Sequence, residues 1–232
     1  MQIYRTIFIW DIQGCYDELK LLIKKLKLKK NDKVYFVWDL INRWPKSYKV
    51  IKYLYKNKSR FMCVKWNHEV NFLNWLKGEN SQDKHSFKKL KNKIEEKKSN
   101  YLIKYIESLP LFIEEENFIL IHWWLIPNKK IEDHTEQEIT NTRIYNWKPW
   151  YEYYKWDKSI IYGHWAEESL QIRINTKWLD SGCVYWKALT ALILETWEVV
   201  QQNALDAYIN IHKGNNDIFK KVINIFQRNI WK

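Results

Sequence analysis

The sequence is short of glycine, cysteine, arginine and long apolar runs, and each shortage excludes something. No apolar stretch approaches the roughly 20 residues that a membrane-spanning helix needs, so a membrane span is not expected. Residues 3–9 read directly as a strand, without the leader and cleavage site of a secretory signal, and a cytoplasmic location is the expectation. Cys15, Cys63 and Cys183 are odd in number, widely spaced and contain no CxxC pair. That argues against a disulfide framework and a thiolate zinc site, and leaves buried free thiols. Only six of the 39 basic residues are arginine. The net charge of +12 invites a nucleic-acid reading, but the lysines are scattered among Asn, Ile and Tyr along the whole chain. The densest basic stretch, residues 84–98, also holds Glu95 and Glu96 and suits a solvated helix. Nucleic-acid binding is therefore disfavoured, while a basic surface can still steer a polyanionic substrate.

The glycine shortage is the sharpest anomaly, with 5 glycines against 15 tryptophans in 232 residues. Average glycine usage is about 7%. Position matters more than the totals. Trp10 lies between a β-like run and Asp11, Trp38 between residues 34–37 and Asp39, and Trp66 just before Asn67. Each is a strand-to-loop corner, where a chain usually needs the free φ and close backbone approach that glycine allows. Reading glycine at Trp10, Trp38, Trp44, Trp66, Trp123, Trp124, Trp147, Trp156, Trp178, Trp186 and Trp197 raises glycine to 16 and lowers tryptophan to 4, both ordinary values. A UGA codon that means glycine in the source lineage would produce this pattern when translated as tryptophan. The competing reading is a tryptophan-rich protein with a stacking surface for nucleic acid.

The order of elements points to an α/β fold. Strands are expected over residues 3–9, 34–37 and 61–64, with helices over 16–28 and 47–57 and a third beginning at 69–76. This alternation predicts a mostly parallel core with binding groups at the carboxyl ends of its strands. Residues 78–107 are rich in Lys and Glu and read as helical. A strand over 118–121 ends at His122, and further strands are expected at 160–162, 170–174, 191–194 and 199–202, then a helix at 217–229. No internal repeat or Pro/Gly/Ser linker divides the chain, so one domain over residues 1–232 is expected.

Polar side chains stand at the end of strand after strand: Asp11 with Gln13, Asp39, Asn67 with His68, His122, and His164. Carboxylate, amide and imidazole groups gathered at one sheet edge suit hard-to-borderline metal ions. Two such ions roughly 3.5–4 Å apart can activate water and hold a phosphoryl group for in-line attack.

With glycine in the suspect positions, these segments resemble the motifs of the calcineurin-like metallophosphoesterases. Residues 9–14 resemble GDxHG, with Gln13 where His is commonest. Residues 38–45 (WDLINRWP) resemble GDLVNRGP, residues 66–69 GNHE, and residues 122–125 HGGL or HAGL, while 163–166 read GHWA as they stand. Residues 179–192 (LDSGCVYWKALTAL) resemble the LDTGCVYGGxLTAL block of the symmetrical diadenosine tetraphosphatases. The resemblance implies a layered α/β/β/α sandwich with a small helical cap insertion near residues 78–107. It implies hydrolysis of dinucleoside tetraphosphates, such as diadenosine tetraphosphate to two ADP, with a serine/threonine protein phosphatase of the same superfamily as the alternative. Two divalent ions are implied, Mn²⁺ first, with Co²⁺, Fe or Zn²⁺ possible; the partner is a dinucleoside polyphosphate, and a monomer is expected.

By the same resemblance, Asp11 and Gln13 hold the first ion and Asp39 bridges the pair as a catalytic ligand. Asn67, His122 and His164 complete the second site. His68 is the general acid, and Arg43 and Arg143 clamp phosphates through the guanidinium fork. The chain departs from the pattern twice. Gln13 is a neutral, weaker ligand than imidazole. Asn42 stands where the protein phosphatases carry an Asp that orients the catalytic His, which fits the nucleotide-hydrolysing branch better.

Overall fold

In a computed structural model, the described residues are 4–10, 12–37, 39–41, 46–121, 125–126, 129–136, 138, 153–154, 157–162, 171–172, 176–178, 181–206 and 208. The first half alternates as its apolar patterning predicts. Strand β1 (Thr6–Trp10) leads to helix α1 (Tyr16–Leu26), β2 (Lys33–Val37) to α2 (Ser47–Lys56), and β3 (Phe61–Cys63) to α3 (Asn67–Leu76). Helix α1 buries Leu19, Leu22 and Leu26 along one face, the spacing of an amphipathic helix. It stops short of residue 28 because Lys27 turns left-handed, with φ 45° and ψ 57°. The lysine-rich segment forms two helices, α4 (Lys84–Glu96) and α5 (Tyr101–Ser108).

The second half is mostly strand: β4 (Phe112–Glu114), β5 (Phe118–Ile121), β6 (Ser159–Tyr162), β7 (Gln171–Ile172), β8 (Thr176–Trp178), β9 (Ala188–Ile193) and β10 (Glu198–Asn203). A short 3₁₀ turn occupies Ile131–Asp133. Two five-stranded sheets result, ordered β10-β9-β1-β2-β3 and β4-β5-β6-β8-β7. The β1–β2–β3 and β5–β6–β8 neighbours are parallel, so their carboxyl ends share an edge within each sheet.

Period-2 alternation divides the first sheet between two cores. Ile7, Ile9, Val34 and Phe36 pack against the buried faces of α1 to α5. Phe8, Trp10, Tyr35 and Val37 turn the other way and meet Phe118, Ile119 and Ile160 of the second sheet. Phe8 and Phe118 touch edge to face, with ring centroids 4.9 Å apart. Each fully buried phenylalanine contributes roughly 1.5–3 kcal/mol of transfer free energy, so the aromatic pairs weigh heavily in holding the sheets together. The described residues thus supply a helix layer and two stacked sheets. Phe87, Leu90 and Ile94 of α4, with Leu102 and Ile106 of α5, join the same core as α1 to α3.

Strands β4 and β8 lie outside the sequence expectations. Strand β4 has three residues and no fully buried side chain, which leaves it without an apolar signature, and β8 carries the buried Lys177 at its centre. The helix expected at 217–229 lies outside the described residues. All three cysteines are free and buried, as expected. Among the described residues no helix is long and apolar enough to cross a membrane.

Candidate functional site

The site forms where β1, β2 and α3 meet. After β1 the chain turns through Gln13 and Gly14, both with positive φ (39° and 80°), and after β2 Asp39 does the same at 30°. Left-handed backbone is uncommon for residues with a Cβ and is usually retained only where the surroundings hold it. Here the Gln13 amide donates to the Asp39 carbonyl at 2.6 Å, locking the two turns together. The side chains follow suit: Gln13 Nε2 donates to Asp39 Oδ2 at 2.8 Å. Both residues are almost wholly buried, so this charge-assisted bond acts out of water.

Helix α3 brings the third group. Asn67 and His68 open its first turn, and His68 Nε2 lies 3.4 Å from Asp39 Oδ2. The other imidazole nitrogen, Nδ1, lies 3.4 Å from Asp83 Oδ2. Gln13 Oε1 and Asn67 Oδ1 are buried with no hydrogen-bond donor among the described residues. Buried polar oxygens are normally satisfied, and oxygens left without a donor, on the residue that contacts Asp39 and on the residue before His68, are the expected signature of ligands to a cation. The donor set therefore fits a divalent ion with oxygen and nitrogen ligands.

Gln13 and His68 both meet Asp39, and Asn67 directly precedes His68 in the first turn of α3. Asp11, Arg43, His122, Arg143 and His164 lie outside the described residues, as does Asn42. Among the described residues no group of three or more His, Cys, Asp and Glu forms a metal-holding cluster by itself. In sequence Asp11 directly follows β1 and His122 directly follows β5, while His164 follows β6 closely.

Glu69 also belongs to the site, beyond the strand-end residues that the sequence marks. Its Oε1 accepts the Ile41 amide at 3.1 Å, and its Oε2 accepts the Trp66 amide at 2.9 Å. One carboxylate thus ties α3 to the loop after β2 and caps the helix. Burial, and then the charge of Asp39, push its carboxyl up to about 8, while His68 and the two amides act in the opposite direction. The signal was present as the spacing of a capping box, a Glu three residues after the N-cap. Cys63 is not a rival nucleophile, because burial pushes its thiol up to about 12.

The tryptophans divide. Trp10 and Trp66 are buried, and Trp10 Nε1 has no acceptor among the described residues. Neither needs a glycine backbone: Trp10 ends a strand, and Trp66 is extended at φ −141°. Trp186 and Trp197 do take up glycine-like backbone, with φ 82° and 58°, and expose their indoles.

No family model matches the chain. Curated relatives do. A protein of Buchnera aphidicola subsp. Schizaphis graminum named symmetrical bis(5'-nucleosyl)-tetraphosphatase is 36% identical over 126 residues, covering 53% of this chain and 37% of that protein. A protein of Methylobacillus flagellatus with the same name is 26% identical over 262 aligned positions, covering 84% of this chain and 94% of the relative. The matches to the Buchnera proteins span only a quarter to somewhat over a third of those relatives' lengths. Among solved structures, one provisionally described as a diadenosine tetraphosphatase superposes with a TM-score of 0.72 at 24% identity, over 88% of this chain and 95% of that one. A serine/threonine phosphatase from Saccharomyces cerevisiae superposes less closely, with a TM-score of 0.57 at 14% identity, over 90% of this chain and 82% of that one. The fold is that of the calcineurin-like metallophosphoesterases.

Proposed function

We propose that this chain is a metal-dependent hydrolase that cleaves dinucleoside tetraphosphates symmetrically, diadenosine tetraphosphate giving two ADP. One observation carries the reading: the buried Asp39 carboxylate is held between the Gln13 amide and the His68 imidazole, and Gln13 Oε1 and the Oδ1 of Asn67, the residue before His68, are buried without a donor among the described residues. The curated homologues bear the name of this activity.

Two divalent ions, Mn²⁺ in the first instance, would be held by Asp11, Gln13, Asp39, Asn67, His122 and His164; when bound they acidify water and offset phosphoryl charge. The chain's own groups do the rest. Asp39 supplies the negative charge at the centre of the site, and Gln13 fixes the direction of its carboxylate. His68 holds a proton at Nε2, the nitrogen that faces the site, and delivers it to the departing phosphate oxygen. Glu69 keeps Asn67 and His68 in register with Asp39. Arg43 and Arg143 bind the polyphosphate, and the chain works as a monomer whose net charge of +12 draws in an anionic substrate.

Product analysis tests the reading. Diadenosine tetraphosphate with Mn²⁺ yields ADP alone. ATP with AMP, or cleavage of phosphopeptides without turnover of the dinucleotide, would overturn it. The second outcome would move the chain to the protein-phosphatase alternative, which the weaker superposition disfavours.

The reading includes glycine in the natural protein at the suspect tryptophan positions, through a recoded UGA codon. The backbone at Trp186 and Trp197 supports it.

A further inference from the structure

His68 is gripped from both sides. Its Nε2 faces Asp39 across 3.4 Å, and its Nδ1 faces the Asp83 carboxylate across 3.4 Å. Asp83 is remote in sequence from the strand-end segments, standing at the boundary of α4 within the lysine-rich stretch. The resemblance places the carboxylate that orients such a histidine at position 42, where this chain has the uncharged Asn42. We propose that Asp83 is the positioning residue of His68: it accepts the Nδ1–H, fixes the ring, and leaves Nε2 for the proton that goes to the leaving group. The inference rests on the function proposed above.

The packing around Asp83 is that of a held group. Its amide donates to Ser81 Oγ at 3.2 Å, and its carbonyl accepts the Phe87 amide at 3.1 Å. Phe87 is buried against Phe72 of α3, ring centroids 5.5 Å apart, so the helix that starts beside Asp83 is anchored to the helix that carries His68. A separation of 3.4 Å is longer than a tight hydrogen bond, and catalytic contacts of this kind commonly shorten once substrate is bound. A carboxylate on one imidazole nitrogen sets the tautomer and presents the other nitrogen to the reaction. The insertion thereby acquires a role in the chemistry: its first helix delivers the group that aims the acid.

The test is made on the full chain, with Asp83→Asn. In the metal-free protein labelled with ¹⁵N-histidine, the His68 ring is assigned by its loss in His68→Gln. Wild type is expected to show His68 protonated at Nδ1 with a hydrogen-bonded shift, and Asp83→Asn to move that signal. An unmoved Nδ1 resonance would overturn the proposal, whatever the substrate. With diadenosine tetraphosphate, kcat falls by about 10- to 100-fold in Asp83→Asn while KM stays within about twofold. A rise in KM at unchanged kcat would instead make Asp83 a substrate-binding group and also overturn it. Asp83 is partly exposed, so the thermal transition stays in place and separates positioning from misfolding. If wild type leaves the dinucleotide intact, the substrate reading fails and the ring signal alone decides the role of Asp83.

Discussion

Glu69 Oε1 accepts the Ile41 backbone amide at 3.1 Å, clamping the helix of Asn67 and His68 to the loop of Asp39. Three prospective site residues thus depend on a carboxylate whose two oxygens accept backbone amides. The contact is buried, so its loss leaves the Ile41 amide away from bulk water.

Glu69→Ala strands the amides of Ile41 and Trp66, and each buried amide left without an acceptor costs about 1–3 kcal/mol. The midpoint of urea unfolding is expected to fall accordingly, with Glu69→Gln keeping part of the stability. A midpoint equal to wild type in Glu69→Ala would contradict the clamp.

Gln13→His and Gln13→Ala test the amide on Asp39. Imidazole is a better ligand than a carboxamide for borderline ions, so Gln13→His tightens Mn²⁺ binding by calorimetry, while Gln13→Ala weakens it. Equal affinity in all three proteins would remove Gln13 from the metal site.

Trp186→Gly and Trp197→Gly relieve left-handed backbone at residues whose side chains are largely exposed. Relief is worth about 1–2 kcal/mol per residue, and the freer unfolded chain takes back about 0.5–1 kcal/mol. Trp186→Gly is expected to raise the melting temperature slightly, and Trp197→Gly less, because it also removes the ring that lies 4.6 Å from Lys177 Nζ. Lower stability in both would oppose glycine at these positions, and so would peptide masses of the natural protein carrying tryptophan at positions 38 or 66.

Asp32 reports on acid stability. Burial works to raise its carboxyl, but the hydrogen bond from Arg5, the Lys29 amide and the charge of Arg5 outweigh it and hold the group below the ordinary carboxylate range. A depressed folded-state pKa stabilises fully above the unfolded value and is lost as pH falls through the folded one. Asp32→Asn is therefore less stable than wild type at about pH 7, and the gap closes as the pH falls below the ordinary carboxylate range. A gap of constant size in thermal melts across that range would rule out the ion pair as its source.

Much of the fold was legible because the central strands of the first sheet are buried on both faces and read as apolar runs. β1 and β2 are nearly all buried, and α1 shows its face in Leu19, Leu22 and Leu26. Gln13, Asp39, Asn67 and His68 were legible for a related reason: in parallel sheets functional groups collect where strands end. Asp83 was not, since a lysine-rich helix start looks like solvated surface, and it is the packing of Phe87 on Phe72 and Trp75 that brings it to His68. Strand β4 was equally silent, being short and without a buried residue. The tryptophans differ in backbone: φ is left-handed at Trp186 and Trp197, as at a glycine, while Trp10 sits in an ordinary strand.

The central claim is that Asp39 and its neighbours form a hydrolytic metal centre that splits a dinucleoside tetraphosphate in the middle. The most direct measurement follows diadenosine tetraphosphate by chromatography with Mn²⁺ present, in wild type and in Asp39→Ala. The account predicts ADP as the only product of wild type, its formation abolished by chelation and lowered at least about 10²-fold in Asp39→Ala. Turnover that survives both chelation and Asp39→Ala, or that releases ATP and AMP, would contradict it.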